Sequence, residues 1–170
     1  MSEVRVIGVA LDSIGQPVLL LKPIDGEAAQ GKILPIWIGP LEATSILAAV
    51  QGSPTPRPFA HDLMRSLIEA IDGVILHVEV TRIDEGTFYA AVRIEGSNGE
   101  HLVDARPSDA IALAARVGAP IHVADEVLAE AGIEDTLTGG PPPHDDAADE
   151  ERLAEFRRFL DTVDPDDFKE

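Results

Sequence analysis

The sequence predicts an α+β fold, a mixed but largely antiparallel sheet with helices packed on it and a further helix appended at the C-terminus. Three observations carry that prediction. Residues 74–105 contain three strand-like runs joined by two tight turns, "DEG" and "SNG", the pattern of an antiparallel meander. Helical signals fall in separate segments, several of which open near a proline and close on glycine. A chain of 170 residues with 45% hydrophobic content is long enough to bury one core.

The elements follow in order. "EVRVIGVAL" alternates, meets the turn "DSIGQP" and continues as "VLLLKP", which reads as a β-hairpin. "GKILPIWIG" is a nearly continuous apolar run whose length and flanking glycines favour a buried strand, with Trp37 in the core. From Pro40, "PLEATSILAAVQG" has proline in a first helical turn, Glu42 beside the positive end of the dipole and Gly52 as its stop. "SPTPRP" is a stiff loop. "FAHDLMRSLIEAIDG" then sets Leu63, Met64, Leu67, Ile68 and Ile71 on one helical face, leaving His61, Asp62, Arg65 and Glu69 elsewhere on the surface.

In "VILHVEVTRI", strict alternation places Val74, Leu76, Val78 and Val80 on one side and Ile75, His77, Glu79 and Thr81 on the other. In "TFYAAVRIEG", Phe88, Ala90, Val92 and Ile94 share a face, and "EHLVDA" completes the meander. A helix over Pro107–Val117 follows, with Ser108, Ala112 and Ala115 small enough for close packing. "APIHVADEVLAEAGI" gives a short strand and a short helix. After Ile133 the texture changes, so the folded body is residues 1–133. Residues 134–148 read as an acidic Pro/Gly linker, and residues 149–170 as an acidic amphipathic helical tail with Leu153, Phe156, Leu160 and Val163 at helical spacing.

Composition removes several functions. There is no cysteine, which excludes disulfides, zinc–thiolate sites and thiol nucleophiles. "MSEVRVIGVALDS" lacks the basic flank and apolar run of a signal peptide, and no apolar stretch has the roughly 18 residues of a membrane span. The expectation is a soluble, cytoplasmic protein with no membrane partner. The net charge is −18; residues 134–170 hold 13 acidic and 4 basic residues, and so carry half of that charge. A chain this acidic does not bind nucleic acid by bulk electrostatics, because phosphate affinity is built from Lys and Arg. It needs a local basic patch, or a divalent cation to invert the sign of a carboxylate cluster.

The densest polar chemistry lies in "VDARPSDAIALAAR". Pro107 holds Arg106 extended and fits the first helical position, so Asp109 falls in the first turn. The structural reading is a helix start: Asp109 serves the free amides, Asp104 ends the strand and Arg106 pairs with one of them. The functional reading sets Asp104 and Asp109 around a divalent cation, magnesium or manganese, with Arg106 on a phosphate oxygen, which is what phosphodiester hydrolysis asks for. "RPFAHDL" is the second cluster. His61 suits a general base better than a metal ligand, because the other histidines, His77, His101, His122 and His144, have no metal-ligand spacing. His77 and His101 would come together only if the meander brought their strands side by side. Glu42 is the third candidate carboxylate. Glu42, Asp62 and Asp109 all occupy first turns after proline-bearing loops, so if the helix starts share one sheet edge they converge there with Arg57 and Arg106. Trp37 and Tyr89 could stack on bases, but aromatic residues are only 4% of the chain.

"LPIWIGPLEA", "RPFAHDL", "TFYAAV" and "VDARPSDAIALAAR", in this order, resemble the bifunctional nuclease domain family over residues 1 to about 133. The resemblance implies a single α+β domain and nuclease activity toward both DNA and RNA, and brings no settled catalytic residues. One departure is Ala60, where the family often has a threonine able to cap the following helix. Two functions follow as expectations. One is a metal-assisted nuclease acting on DNA or RNA through Asp104, Arg106, Asp109 and His61, with Arg57 on substrate and Glu42, Asp62, Asp104 and Asp109 as candidate metal ligands. The other is a non-catalytic homo-oligomeric binding module whose acidic tail engages a protein partner.

Overall fold

The computed structural model describes residues 1–24, 31–54 and 56–135. The chain divides into two units, Met1–Glu134 and Asp135–Glu170. The expected linker over 134–148, apart from its first two residues, and the expected tail helix over 149–170 lie outside the described residues, as does His144.

The fold is α+β: four helices and one eight-stranded sheet among the described residues. In chain order the elements are β1 (Ser2–Leu11), β2 (Pro17–Pro23), β3 (Lys32–Trp37), α1 (Pro40–Val50), α2 (Ala60–Ala70), β4 (Val74–Asp84), β5 (Thr87–Gly96), β6 (Gly99–Ala105), α3 (Pro107–Val117), β7 (Ile121–Val123), α4 (Asp125–Ala131) and β8 (Ile133–Glu134). The sheet runs β6-β5-β4-β7-β1-β2-β3-β8. All pairings are antiparallel except β4 with β7, so three residues of β7 join the meander β4–β5–β6 to the hairpin array β1–β2–β3. The β4–β5 turn is two residues, Glu85 (φ 48°) and Gly86 (φ 77°), the doubly positive geometry that matches strand twist.

The core lies where the helices cover the sheet. α3 is buried along most of its length, Pro107, Ser108, Ala110, Ile111, Ala112, Leu113 and Ala114 all being inaccessible. Its small residues let it pack against α1, α2, β4 and β5 at once. Around it sit Val4, Leu19, Leu21, Leu34, Ile46, Val78, Val80 and Val92.

Strict alternation fails in β4. The register runs Ile75↔Ile94 and then His77↔Arg93, leaving Leu76 as an extra residue. This bulge reverses the facing of what precedes it: Ile75 joins Val78 and Val80 in the core, and Val74 is exposed. The register also separates His77 from His101, because β5 lies between their strands. His77 instead meets His122 of β7 edge-on at 5.2 Å. Trp37, placed in the core by its apolar neighbours, is 56% exposed at the end of β3. α2 shows the largest reversal. Leu63, Met64, Leu67 and Ile71 face solvent; of the expected apolar face Ile68 alone packs against the core, and the fully buried residue of the helix is His61.

Candidate active site

The reversal of α2 follows from polar bonds that hold its other side against α1 and α3. Arg116, near the end of α3 and only 4% exposed, donates from Nε to Asp62 Oδ1 at 2.7 Å. Its other nitrogens reach Ser45 O, Ala112 O and Ser45 Oγ, at 3.2, 2.9 and 3.1 Å. A buried guanidinium with this many acceptors fixes three helices together. Asp62 also accepts from the amide of Phe59 at 2.8 Å, and so supplies the reciprocal half of a cap. Ala60 is therefore the first helical residue, one place beyond the N-cap Phe59, so a threonine hydroxyl at 60 would not stand at the capping position. The Arg116 hydrogen bond holds the Asp62 carboxyl below the usual range, against the opposing effect of burial.

From Ser45 the polar chain runs outward. The Ser45 hydroxyl lies 2.9 Å from His61 Nδ1, and His61 Nε2 lies 3.0 Å from Asp109 Oδ1. With Nε2–H donating to the carboxylate, Nδ1 of a neutral ring accepts from Ser45, whose oxygen accepts from Arg116. Asp109 in turn accepts from Arg106 Nε at 2.7 Å and Nη2 at 3.1 Å, a two-point clamp. Arg106 Nη1 reaches Glu42 Oε1 at 3.0 Å. Burial pushes the Asp109 carboxyl up, but the bonds from Arg106 and His61 outweigh it and leave the group below its ordinary value. Asp109 and Glu42 raise the Arg106 guanidinium further. Gly39, the N-cap of α1, leaves room for Glu42 to fold back, since a Cβ there would collide with the Glu42 carboxylate.

Three helix starts thus meet. Glu42 and Ser45 come from α1, His61 from α2, and Arg106 and Asp109 from α3. They wall a cavity of about 410 Å³ whose remaining lining is mostly apolar, Leu41, Phe59 and Met64 among it. A second cavity of about 670 Å³, lined by Trp37 and Phe88, shares Glu42 and Arg106 with the first. Arg106 is 66% exposed between the two.

Of the residues singled out from sequence, the structure brings Glu42, His61, Arg106 and Asp109 together. Asp62 is turned away to Arg116. Asp104 is exposed on the edge strand β6, opposite Ala91, and lines neither cavity. Arg57 is exposed in the loop before α2 and is also outside both linings. Among the described residues no three His, Asp or Glu side chains converge closely enough to hold a metal ion by themselves. Sequence reasoning missed Ser45 and Arg116. The i,i+3 spacing of Glu42 and Ser45 on α1 was an available signal for the first. Nothing local marks Arg116, whose partners outside its own helix lie 54 and 71 residues away.

A family model described as "Bifunctional nuclease domain" matches residues 20–136. A protein of Mycobacterium tuberculosis named only as uncharacterized is 42% identical over 177 residues, covering 99% of both chains. Bifunctional nuclease 1 of Arabidopsis thaliana is 30% identical over 115 residues, covering 66% of this chain and 34% of the plant protein. Bifunctional nuclease 1 of Oryza sativa subsp. japonica is 26% identical over 126 residues, covering 72% and 37%. The chain therefore spans about a third of the length of these plant relatives.

Proposed function

The chain belongs to the bifunctional nuclease domain family, and from that membership we propose that it hydrolyses phosphodiester bonds of DNA and RNA at the cleft between the first turns of α1, α2 and α3. The observation that supports this most is the chain Glu42–Arg106–Asp109–His61 along one cavity wall. Arg106 spends three of its five N–H groups on Glu42 and Asp109, leaving one on each terminal nitrogen for a phosphate oxygen. Its carboxylate partners hold the guanidinium in place before substrate arrives, so little side-chain freedom is lost on binding. Asp109, ionised and facing the cleft, orients the attacking water. His61 shares the charge of Asp109 through Nε2 and is itself held by Ser45.

Glu42 and Asp109, which share Arg106, would hold a divalent cation in this reading. Magnesium or manganese is commonly held by one or two carboxylates plus substrate oxygens, and supplies charge neutralisation and an activated water. Full-length protein and its His61→Ala, Arg106→Ala and Asp109→Asn variants, purified in parallel, are to be incubated with single- and double-stranded DNA and RNA in magnesium, manganese or chelator. Cleavage by the unaltered protein that falls at least a hundredfold in each variant supports the reading. Equal cleavage by all four proteins, or none by the unaltered one, overturns it.

A second reading, a non-catalytic module that assembles with copies of itself, is favoured by the outward face of α2. Leu63, Leu67 and Ile71 are 54, 58 and 74% exposed along one stripe, without a charge between them. Sedimentation of the protein and of a Leu67→Glu variant tests it; a monomer in both excludes assembly through this face.

A further inference from the structure

We infer that the two cavities flanking Arg106 are base subsites for the nucleosides on either side of one phosphate, so that the site takes unpaired strands and Trp37 is a stacking platform. This rests on the nuclease reading for the role of the central phosphate. A tryptophan that is 56% exposed contributes little to the core, yet its ring is fixed. Its Nε1–H donates to Asp12 Oδ2 at 3.0 Å, and Asp12 is itself held by the amides of Ile14 and Gln16 at 3.0 and 2.9 Å. An exposed aromatic held in one orientation has already lost the rotamer freedom that stacking would otherwise cost.

Across Arg106 the other cavity has the same character. Phe59 and Met64 are 40 and 42% exposed there, and Leu41 is 83% exposed. One guanidinium lies between two apolar, partly aromatic hollows, and a phosphodiester is one anion between two nucleosides. The volumes, about 410 and 670 Å³, lie in the range that holds small organic ligands.

Charge points the same way. The body of the chain is acidic, and the central cation is already shared with Glu42 and Asp109. Such a surface cannot gather the many phosphates of a duplex by counterion release. Stacking is indifferent to that charge and demands that the bases be unpaired, since a base inside a duplex hides both faces.

The chain has one tryptophan, so its emission reports on this subsite alone. Full-length protein is to be titrated with hexathymidylate in chelator, following Trp37 emission. The anisotropy of a labelled strand is read in parallel, and cleavage is scored separately with magnesium and manganese. The expected result is saturable quenching by hexathymidylate, weakened at least tenfold for a six-residue abasic strand with the same phosphates and for a blunt duplex. Trp37→Ala and Phe59→Ala should each weaken strand binding roughly 5- to 150-fold, the range for one stacked base. Unquenched emission with a bound strand overturns the subsites; cleavage of that strand then leaves the nuclease reading standing, and no cleavage removes both. Quenching without cleavage under any condition supports the subsites and removes the nuclease reading. Equal binding of the abasic strand overturns the inference, because affinity then comes from phosphates alone.

Discussion

The two ends of α3 carry an arginine each, and the two do opposite work. The Arg116 side chain is 4% exposed and each of its nitrogens is already engaged, its partners being Asp62, Ser45 and a backbone carbonyl of its own helix. Arg106, ten residues earlier, is 66% exposed and clamps two carboxylates at the mouth of a cleft. The same ion-pair chemistry is structural where water is excluded and available for binding where it is not. Ser45 and His61 connect the two ends, so the buried arginine sets the geometry of the exposed one.

That contrast can be broken at either end. The largest effect belongs to Arg116→Ala, expected to destabilise by about 2–3 kcal/mol because Asp62 and Ser45 lose the partner they share. Chemical denaturation would measure it, and a loss under 1 kcal/mol would mean that the pair is not what holds α2. Next comes Arg106→Ala. It should lower phosphodiester cleavage roughly 10²–10³-fold, the scale for losing one oxyanion donor, while changing stability by no more than about 1 kcal/mol. An unfolded variant here would erase the distinction between the two ends.

Asp62→Asn sharpens the comparison through pH. Asp62 is held below its ordinary value of 3.8, so its contribution is complete above that value and is lost as pH falls beneath it. At pH 7 the variant should be about 2 kcal/mol less stable, and its disadvantage should shrink toward zero in denaturation curves taken below pH 3.8. A gap that stays constant with pH would show that the carboxylate charge is not the source. The smallest effect is that of Ala60→Thr. Because Phe59 is the N-cap, a hydroxyl at 60 should alter stability by less than about 0.5 kcal/mol in thermal melts, rather than adding a cap.

Much of the fold was legible in the sequence because its punctuation is local. Pro40, Pro107 and Gly118 mark helix ends, and the Glu85–Gly86 turn marks a hairpin, wherever the rest of the chain lies. The expected helix over Pro107–Val117 and strand over Thr87–Gly96 have those bounds in the structure. What periodicity could not give was facing. One bulged residue, Leu76, turns Val74 outward. The apolar stripe of α2 pointed to the core, yet the bonds of His61 and Asp62 orient the helix the other way. β8, two residues long, carried no signal of its own. At the site, the proline-bearing helix starts brought out Glu42, Arg106 and Asp109 together with Arg57, which lines neither cavity, and His61 came from its chemistry as a base. Those helix starts could not separate Asp62 from the other carboxylates, because Asp62 differs only in having Arg116 within reach. Trp37 was assigned by its apolar neighbours, which say nothing of what covers a strand end.

The placement of β7 bears on how the chain is made. The strand that joins the two halves of the sheet is Ile121–Val123, so both halves are synthesised before their joint leaves the ribosome. Until then β1 and β4 each present an unpaired edge, the kind of edge that recruits a neighbouring chain. Truncations that stop before Ile121 should therefore yield aggregates rather than a smaller soluble domain, whereas those that keep β7 close both edges.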